Sequence, residues 1–253
     1  MKQFRTNLIY FLITAFIFLQ APVFIAGSTL RKDVKPVYSV KPEAKEEKSK
    51  QEIILETADS LFQNYKLLEA GLQQEAFELA YKGYYKLLEE GLVERPEVLT
   101  IADFSKPSNQ KRLYIINMAE GRLIYHTLVA HGRNSGLYYA TNFSNKPESN
   151  KSSLGFYLTL QTYIGEKGLS LKLKGLESGI NNNAYDRAIV VHGSDYVTAQ
   201  FANSNGYLGR SLGCPAVPAK QAKGIINTIK NGSVMFIYHP AKQYQTQSQL
   251  VNS

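Results

Sequence analysis

The sequence predicts a mainly β domain, an antiparallel sandwich or barrel, with a helical hairpin before it and one later helix, giving an α+β chain overall. Three observations carry that prediction. Beyond Pro96, short β-branched and aromatic runs recur between turn residues, without the regular intervening helices of a β-α-β chain. Upstream, two segments place apolar residues three and four apart, and a third such segment opens at Pro218.

The 253-residue chain begins with Lys2 and Arg5, followed by an uncharged stretch from Thr6 to Leu30 that contains the apolar block Leu8 to Leu19. Small residues Ala26, Gly27 and Ser28 come next, so residues 1–28 read as a secretory signal peptide, with an uncleaved membrane anchor as the alternative. Residues 29–51 are dense in charge and proline and poor in large apolar side chains, the composition of a disordered charged linker. The helical hairpin is expected over residues 52–95. Its helices, Glu52 to Ala70 and Gln73 to Glu90, are each followed by glycine and leucine, Gly71-Leu72 and Gly91-Leu92, the pattern of a left-handed cap with an apolar residue folding back.

Residues 96–240 form the expected main domain. Strands are predicted at Thr100 to Phe104, Arg112 to Asn117, Arg122 to His131, Phe156 to Tyr163, Ser170 to Lys174, Ala188 to His192 and Ser233 to Tyr238. The later helix carries Ala222, Ile225, Ile226 and Ile229 on one face and stops at Asn231-Gly232. Two stretches, Gly132 to Ser152 and Asp195 to Gly209, are too long and too rich in glycine and asparagine to be plain connections. The glutamine- and serine-rich residues 241–253 read as a disordered tail.

Charge and cysteine usage bound the chemistry. The formal net charge is +8, and without Lys2 and Arg5 the chain still holds 27 basic against 21 acidic residues. That balance suits contact with anionic wall polymers or headgroups. There is no basic run interleaved with aromatics and no set of zinc-ligand cysteines, so nucleic-acid modules are excluded. The single cysteine, Cys214, forms no intramolecular disulfide, and exported proteins ordinarily use cysteines in pairs. Gly213 frees the backbone before it, and Pro215 removes the next N–H. A thiol so held becomes a nucleophile if a base is near. His192-Gly193, closing an apolar run 22 residues earlier, supplies one. Ser211 stands on the same turn as the thiol and offers the imidazole a partner. Attack on a carbonyl also needs N–H donors for the oxyanion; because Pro215 has none, the candidates are the backbones of Gly213, Cys214 and Leu212.

Histidine-glycine, a long loop and then Ser-x-Gly-Cys resembles the signature of the L,D-transpeptidases of bacterial cell walls, the YkuD-like family. The blocks Ala130-His131-Gly132-Arg133-Asn134-Ser135-Gly136, Ser153-Leu154-Gly155-Phe156-Tyr157 and Gly209-Arg210-Ser211-Leu212-Gly213-Cys214-Pro215-Ala216 resemble its murein L,D-transpeptidase catalytic branch between Leu99 and Pro240. The resemblance implies Cys214 as nucleophile, His192 as base and Ser211 as the residue orienting the imidazole. It further implies an exported enzyme of the periplasm or cell envelope acting on peptidoglycan stem peptides, with neither metal nor organic cofactor, and open to acylation by carbapenems. The thioester left after loss of D-alanine would pass to an amine, or to water in an L,D-carboxypeptidase. A wall-binding protein on a degenerate enzyme fold is the non-catalytic alternative.

The chain departs from the wider family at Leu212, where many members have histidine, and at Pro215-Ala216, where arginine or asparagine is common. No arginine follows Arg210, so a cation for stem carboxylates must come from Arg210, Arg187, Arg133 or a lysine, with Arg210 first because it adjoins the thiol turn. The missing downstream arginine also opposes a sortase, and the order histidine before cysteine opposes a papain-like protease. His131-Gly132 closes an apolar strand as well, which makes His131 a second candidate, as substrate contact, base or structural residue. Family spacing favours His192 as the base.

Overall fold

The computed structural model describes residues 48–252. The expected signal segment and the linker up to residue 47 lie outside the described residues. Among the described residues, no helix is long and apolar enough to cross a membrane.

Helix α1 (Lys50–Asn64) starts where Ser49 accepts the Glu52 N–H and the Glu52 carboxylate accepts the Ser49 N–H, a reciprocal pair that satisfies two helix-end donors. Lys50 and Gln51, read as the end of a linker, therefore belong to the helix. The helix closes at Asn64, nearly two turns before the expected Ala70. Lys66 adopts φ +52°, and Leu67 N–H returns to the Phe62 carbonyl. Helix α2 (Gln74–Glu89) ends as predicted, with Gly91 at φ +68° and the Leu92 N–H on the Leu87 carbonyl.

The strands are β1 (Val98–Asp103), β2 (Leu113–Asn117), β3 (Arg122–Thr127), β4 (Gly155–Gly165), β5 (Gly168–Gly175), β6 (Val190–Ser194), β7 (Ala216–Pro218) and β8 (Val234–Tyr238). They form one sheet in the order β3-β2-β1-β8-β4-β5-β6-β7. The sheet is mostly antiparallel, as predicted, with parallel pairing only between β1 and β8 and between β6 and β7. All seven predicted strands are present. Strand β7 has only three residues and follows the cysteine turn directly, too short to stand out as a periodic pattern. Within the long stretch after Asp195 lies a further helix, α3 (Ala199–Asn205), with Thr198 accepting the Phe201 N–H. The predicted later helix is α4 (Ala219–Ile229), with Ala222, Ile225, Ile226 and Ile229 buried as expected.

Helix α2 packs against β1 and β8. Gly83 makes the approach possible, because a Cβ there would fall 2.1 Å from Cζ of Phe156, whose ring stacks on Phe236 with centroids 4.2 Å apart. The hairpin shares one continuous core with the sheet: Phe62, Phe77, Phe156 and Phe236 are all fully buried.

The C-terminal residues correct the expectation of a disordered tail. Helix α5 (Lys242–Gln247) brings Tyr244 into the core, and Leu250 and Val251 follow it there. Burying three large side chains offsets the ordering cost of a polar segment. Polar contacts fix the path: Tyr244 Oη and Ser248 Oγ donate to the buried Glu177 carboxylate, and Lys82 Nζ donates to the Val251 carbonyl at 2.7 Å.

Candidate active site

The register of β6 on β7 pairs His192 with Ala216, two residues beyond Cys214. On its other side His192 pairs with Ser170 of β5. A parallel pair therefore brings together two residues far apart in sequence. His192 and Cys214 both line a cavity of about 640 Å³, together with Tyr163, Lys167, Arg187, Tyr196, Arg210, Ser211 and Leu212.

The turn that carries the thiol is held at each peptide. Gly213 has φ +129°, a conformation L side chains rarely adopt, and its N–H is donated to Ser211 Oγ at 3.1 Å. Ser211 Oγ in turn donates to the Cys214 carbonyl at 2.6 Å, and the Ala216 N–H reaches the same carbonyl across Pro215 at 3.0 Å. The partly buried Cys214 Sγ accepts the Val190 N–H at 3.4 Å and donates to the Ala188 carbonyl at 3.6 Å. Ala188 has φ +52°, an uncommon conformation for a residue with a Cβ. Burial pushes the thiol pKa up, while the Val190 N–H and the nearby Arg187 charge pull the other way without cancelling it.

His192 Nδ1 lies 2.9 Å from the carbonyl of the next residue, Gly193, and so carries the proton in the neutral ring. Nε2 is left as the acceptor, with no protein partner among the described residues. Burial lowers the pKa of this imidazole, the Gly193 carbonyl opposes that, and Lys167 adds to it. The neutral forms of thiol and imidazole are thus both favoured.

Several sequence expectations change here. Ser211 does not orient the imidazole, since its hydroxyl is spent on the Gly213 N–H and the Cys214 carbonyl; the orienting group is the Gly193 carbonyl. A bond from a histidine to its neighbour's backbone leaves no trace in residue type. Gly213 leaves the set of oxyanion donors because its N–H is occupied, whereas the Leu212 N–H has no hydrogen-bond acceptor among the described residues and the Cys214 N–H has none beyond its own sulfur.

His131 does not reach the cavity. It is fully buried, Arg112 Nη2 donates to its Nδ1 at 2.7 Å, and its Nε2 donates to the Gly136 carbonyl at 3.1 Å. With both nitrogens engaged and burial and Arg112 disfavouring the cation, its pKa is pushed down to about 4. Neither a substrate contact nor a base is available from it. Arg187 lines the cavity, but Nη1 and Nη2 are committed to Ser144 O, Ser153 Oγ, Ser149 Oγ and Lys151 O, so it clamps the loop before β4. The Arg133 side chain is exposed and does not line the cavity; its backbone meets Ser211, the N–H donating to Ser211 O at 2.8 Å. Arg210 does line the cavity. It makes only long bonds from Nη1 to the Arg133 and Gly136 carbonyls, at 3.3 and 3.4 Å, which leaves Nη2 and Nε without hydrogen-bond partners among the described residues.

No curated protein sequence matches the chain. Among solved structures it is similar to an L,D-transpeptidase from Mycobacterium smegmatis, at 13% identity and TM-score 0.35 over 56% of this chain and 59% of that one. It is also similar to the helical cell shape determining protein Pgp2 from Campylobacter jejuni, at 12% identity and TM-score 0.38 over 67% and 59% of the two chains. A third is an L,D-transpeptidase from Stackebrandtia nassauensis, at 11% identity and TM-score 0.34 over 74% and 78%. Likenesses this distant carry no residue roles. The family model for the L,D-transpeptidase catalytic domain, however, matches residues 68–238, well over half of the sequence, including α2 and every strand. On that match the chain belongs to the L,D-transpeptidase catalytic domain family.

Proposed function

We propose that the protein is an exported cysteine L,D-transpeptidase that remodels peptidoglycan in the cell envelope. The observation that carries this reading is the pairing on one cavity of Cys214 with a histidine whose Nδ1 is fixed by a backbone carbonyl and whose Nε2 has no protein partner. Because burial favours the uncharged forms of both groups, proton transfer accompanies attack and no ion pair need exist beforehand.

In this reading Cys214 Sγ attacks the carbonyl that joins the L-centre of a diamino acid to the terminal D-alanine of a tetrapeptide stem. The thiol proton passes to His192 Nε2 as the C–S bond forms. The Cys214 and Leu212 N–H groups face the developing oxyanion. Collapse breaks the C–N bond, His192 returns its proton to the leaving amine, and D-alanine departs from a thioester. An acceptor amine then attacks that thioester, gives its proton to His192, forms the new amide and releases the thiol. Arg210, whose Nη2 and Nε are unspent, is the cation for a stem carboxylate.

Incubating the full chain with defined muropeptides and reading the products by mass spectrometry tests this. The expected result is a cross-linked dimer with loss of D-alanine, and neither dimer nor thioester with Cys214→Ala. A tripeptide alone would make the enzyme an L,D-carboxypeptidase, and unchanged stem with bound muropeptide would leave only a wall-binding protein. Turnover by the alanine variant would remove Cys214 from the chemistry.

A further inference from the structure

The Gly213–Cys214 peptide supplies a donor to the oxyanion in the reading above, yet it follows a glycine, the residue least able to hold a peptide plane. Something outside the turn has to fix it. Ser152 lies in the loop leading to β4 and is fully buried, and it does not line the cavity. Its Oγ accepts the Gly132 N–H at 3.0 Å and donates to the Gly213 carbonyl at 3.1 Å. Its own N–H is donated to Ser135 Oγ at 2.9 Å, and Ser135 is fully buried too. The hydroxyl proton is therefore directed, since the Gly132 N–H occupies the acceptor side.

There are no cis peptides among the described residues, and in a planar trans peptide the carbonyl and the N–H point in opposite directions. Pinning the Gly213 carbonyl towards buried Ser152 turns the Cys214 N–H the other way. Ser211, Leu212 and Cys214 line the cavity, whereas Ser152 and Gly213 do not. The Cys214 N–H has no hydrogen-bond acceptor other than its own sulfur, whose thiolate it favours. Ser211 fixes the peptide planes on either side of this one, through the Gly213 N–H and the Cys214 carbonyl.

We infer that Ser152 is a positioning residue for the oxyanion site: its hydrogen bond to the Gly213 carbonyl aims the Cys214 N–H at the reacting carbonyl oxygen. The role rests on the proposed acyl transfer at Cys214. It differs from thiol activation, which belongs to His192, and two probes of the same sulfur separate the two. Acylation by a carbapenem passes through a tetrahedral oxyanion, whereas alkylation by iodoacetamide is a displacement at carbon that forms none.

In the full chain, Ser152→Ala is expected to slow carbapenem acylation about ten- to hundredfold, a share of what one oxyanion donor contributes, and to leave iodoacetamide alkylation within about twofold. Ser152→Cys, which keeps a weaker donor, is expected to fall between wild type and Ser152→Ala, with peptide-level mass spectrometry assigning each label to Cys214. Equal slowing of both probes, or unchanged acylation in folded Ser152→Ala, would overturn the Ser152 role alone. Should the alanine variant fail to fold, the acylation-to-alkylation ratio of Ser152→Cys decides, and a wild-type ratio there overturns it. Wild-type protein that alkylates at Cys214 but takes up neither carbapenem nor stem would overturn the functional reading, and the Ser152 role with it.

Discussion

Two histidine-glycine pairs, His131-Gly132 and His192-Gly193, close apolar runs in this chain and look alike as sequence. Their surroundings make them opposites. His131 is fully buried, receives a hydrogen bond from the equally buried Arg112 on one nitrogen and donates to the Gly136 carbonyl with the other. His192 spends one nitrogen on the Gly193 carbonyl and keeps the other for the cavity it shares with Cys214. Burial disfavours the cation of both, and pushes His131 down to about 4. A neutral imidazole is thus a base only where a nitrogen remains unspent; with both spent it becomes a strut.

Exchanging their fates is the severest way to break that contrast. His192→Ala is expected to lower carbapenem acylation of Cys214 by about 10²–10⁴-fold, the usual contribution of a positioned base, with little change in thermal midpoint. His131→Ala is expected to do the reverse: acylation within about threefold in the folded protein, and a stability loss of about 1–3 kcal/mol because Arg112 Nη2 loses a buried acceptor. Kinetic mass spectrometry and urea unfolding on both variants read this. An inactive His131→Ala with wild-type stability would invert the assignment.

Next in size is the effect of pH on stability. The folded protein holds His131 at about 4 against an ordinary 6.5, so the unfolded chain binds more protons between those values. Stability is then full above pH 6.5 and declines as pH falls towards 4. The His131 share of that decline is on the order of 3 kcal/mol. Urea midpoints at pH 7, 5.5 and 4 should show His131→Gln losing correspondingly less than wild type. Identical slopes would refute the strut.

The smallest expected effects concern the arginines. Arg210→Ala should raise the KM for stem peptide severalfold, about 1 kcal/mol for a solvent-accessible charged contact, with little change in kcat. Arg133→Ala, removing an exposed side chain outside the cavity, should fall within about 0.5 kcal/mol of wild type in both activity and stability. Steady-state kinetics on the two variants sharpens which cation serves the substrate, and equal KM values for both would remove Arg210 from that role.

Legibility in the sequence followed range. Periodicity carried the seven longer strands, α2 and α4, because each presents a repeating apolar face. It missed the three-residue β7, the short α3 and the tail helix α5, whose core residues Tyr244, Leu250 and Val251 show no helical or strand period. It also ran α1 to Ala70, since nothing about Lys66 announces a left-handed backbone. At the site, residue types pointed to Cys214 and His192, while the groups that orient them escaped. Gly193, Val190 and Ala188 act through backbone atoms, which every residue possesses.

By itself the sequence determined the fold class and which side chains are chemically able to act, because strand period, turn residues and a lone thiol after a flexible glycine are local properties; the family came from the resemblance of three motif blocks. Family spacing already favoured His192 over His131, but only the tertiary structure showed that both nitrogens of His131 are spent away from the cavity, which hydroxyl meets the Gly213 carbonyl and which arginines are already engaged. Those outcomes depend on register between distant strands and on how many hydrogen-bond partners each polar atom finds, and neither quantity is written in a residue's identity.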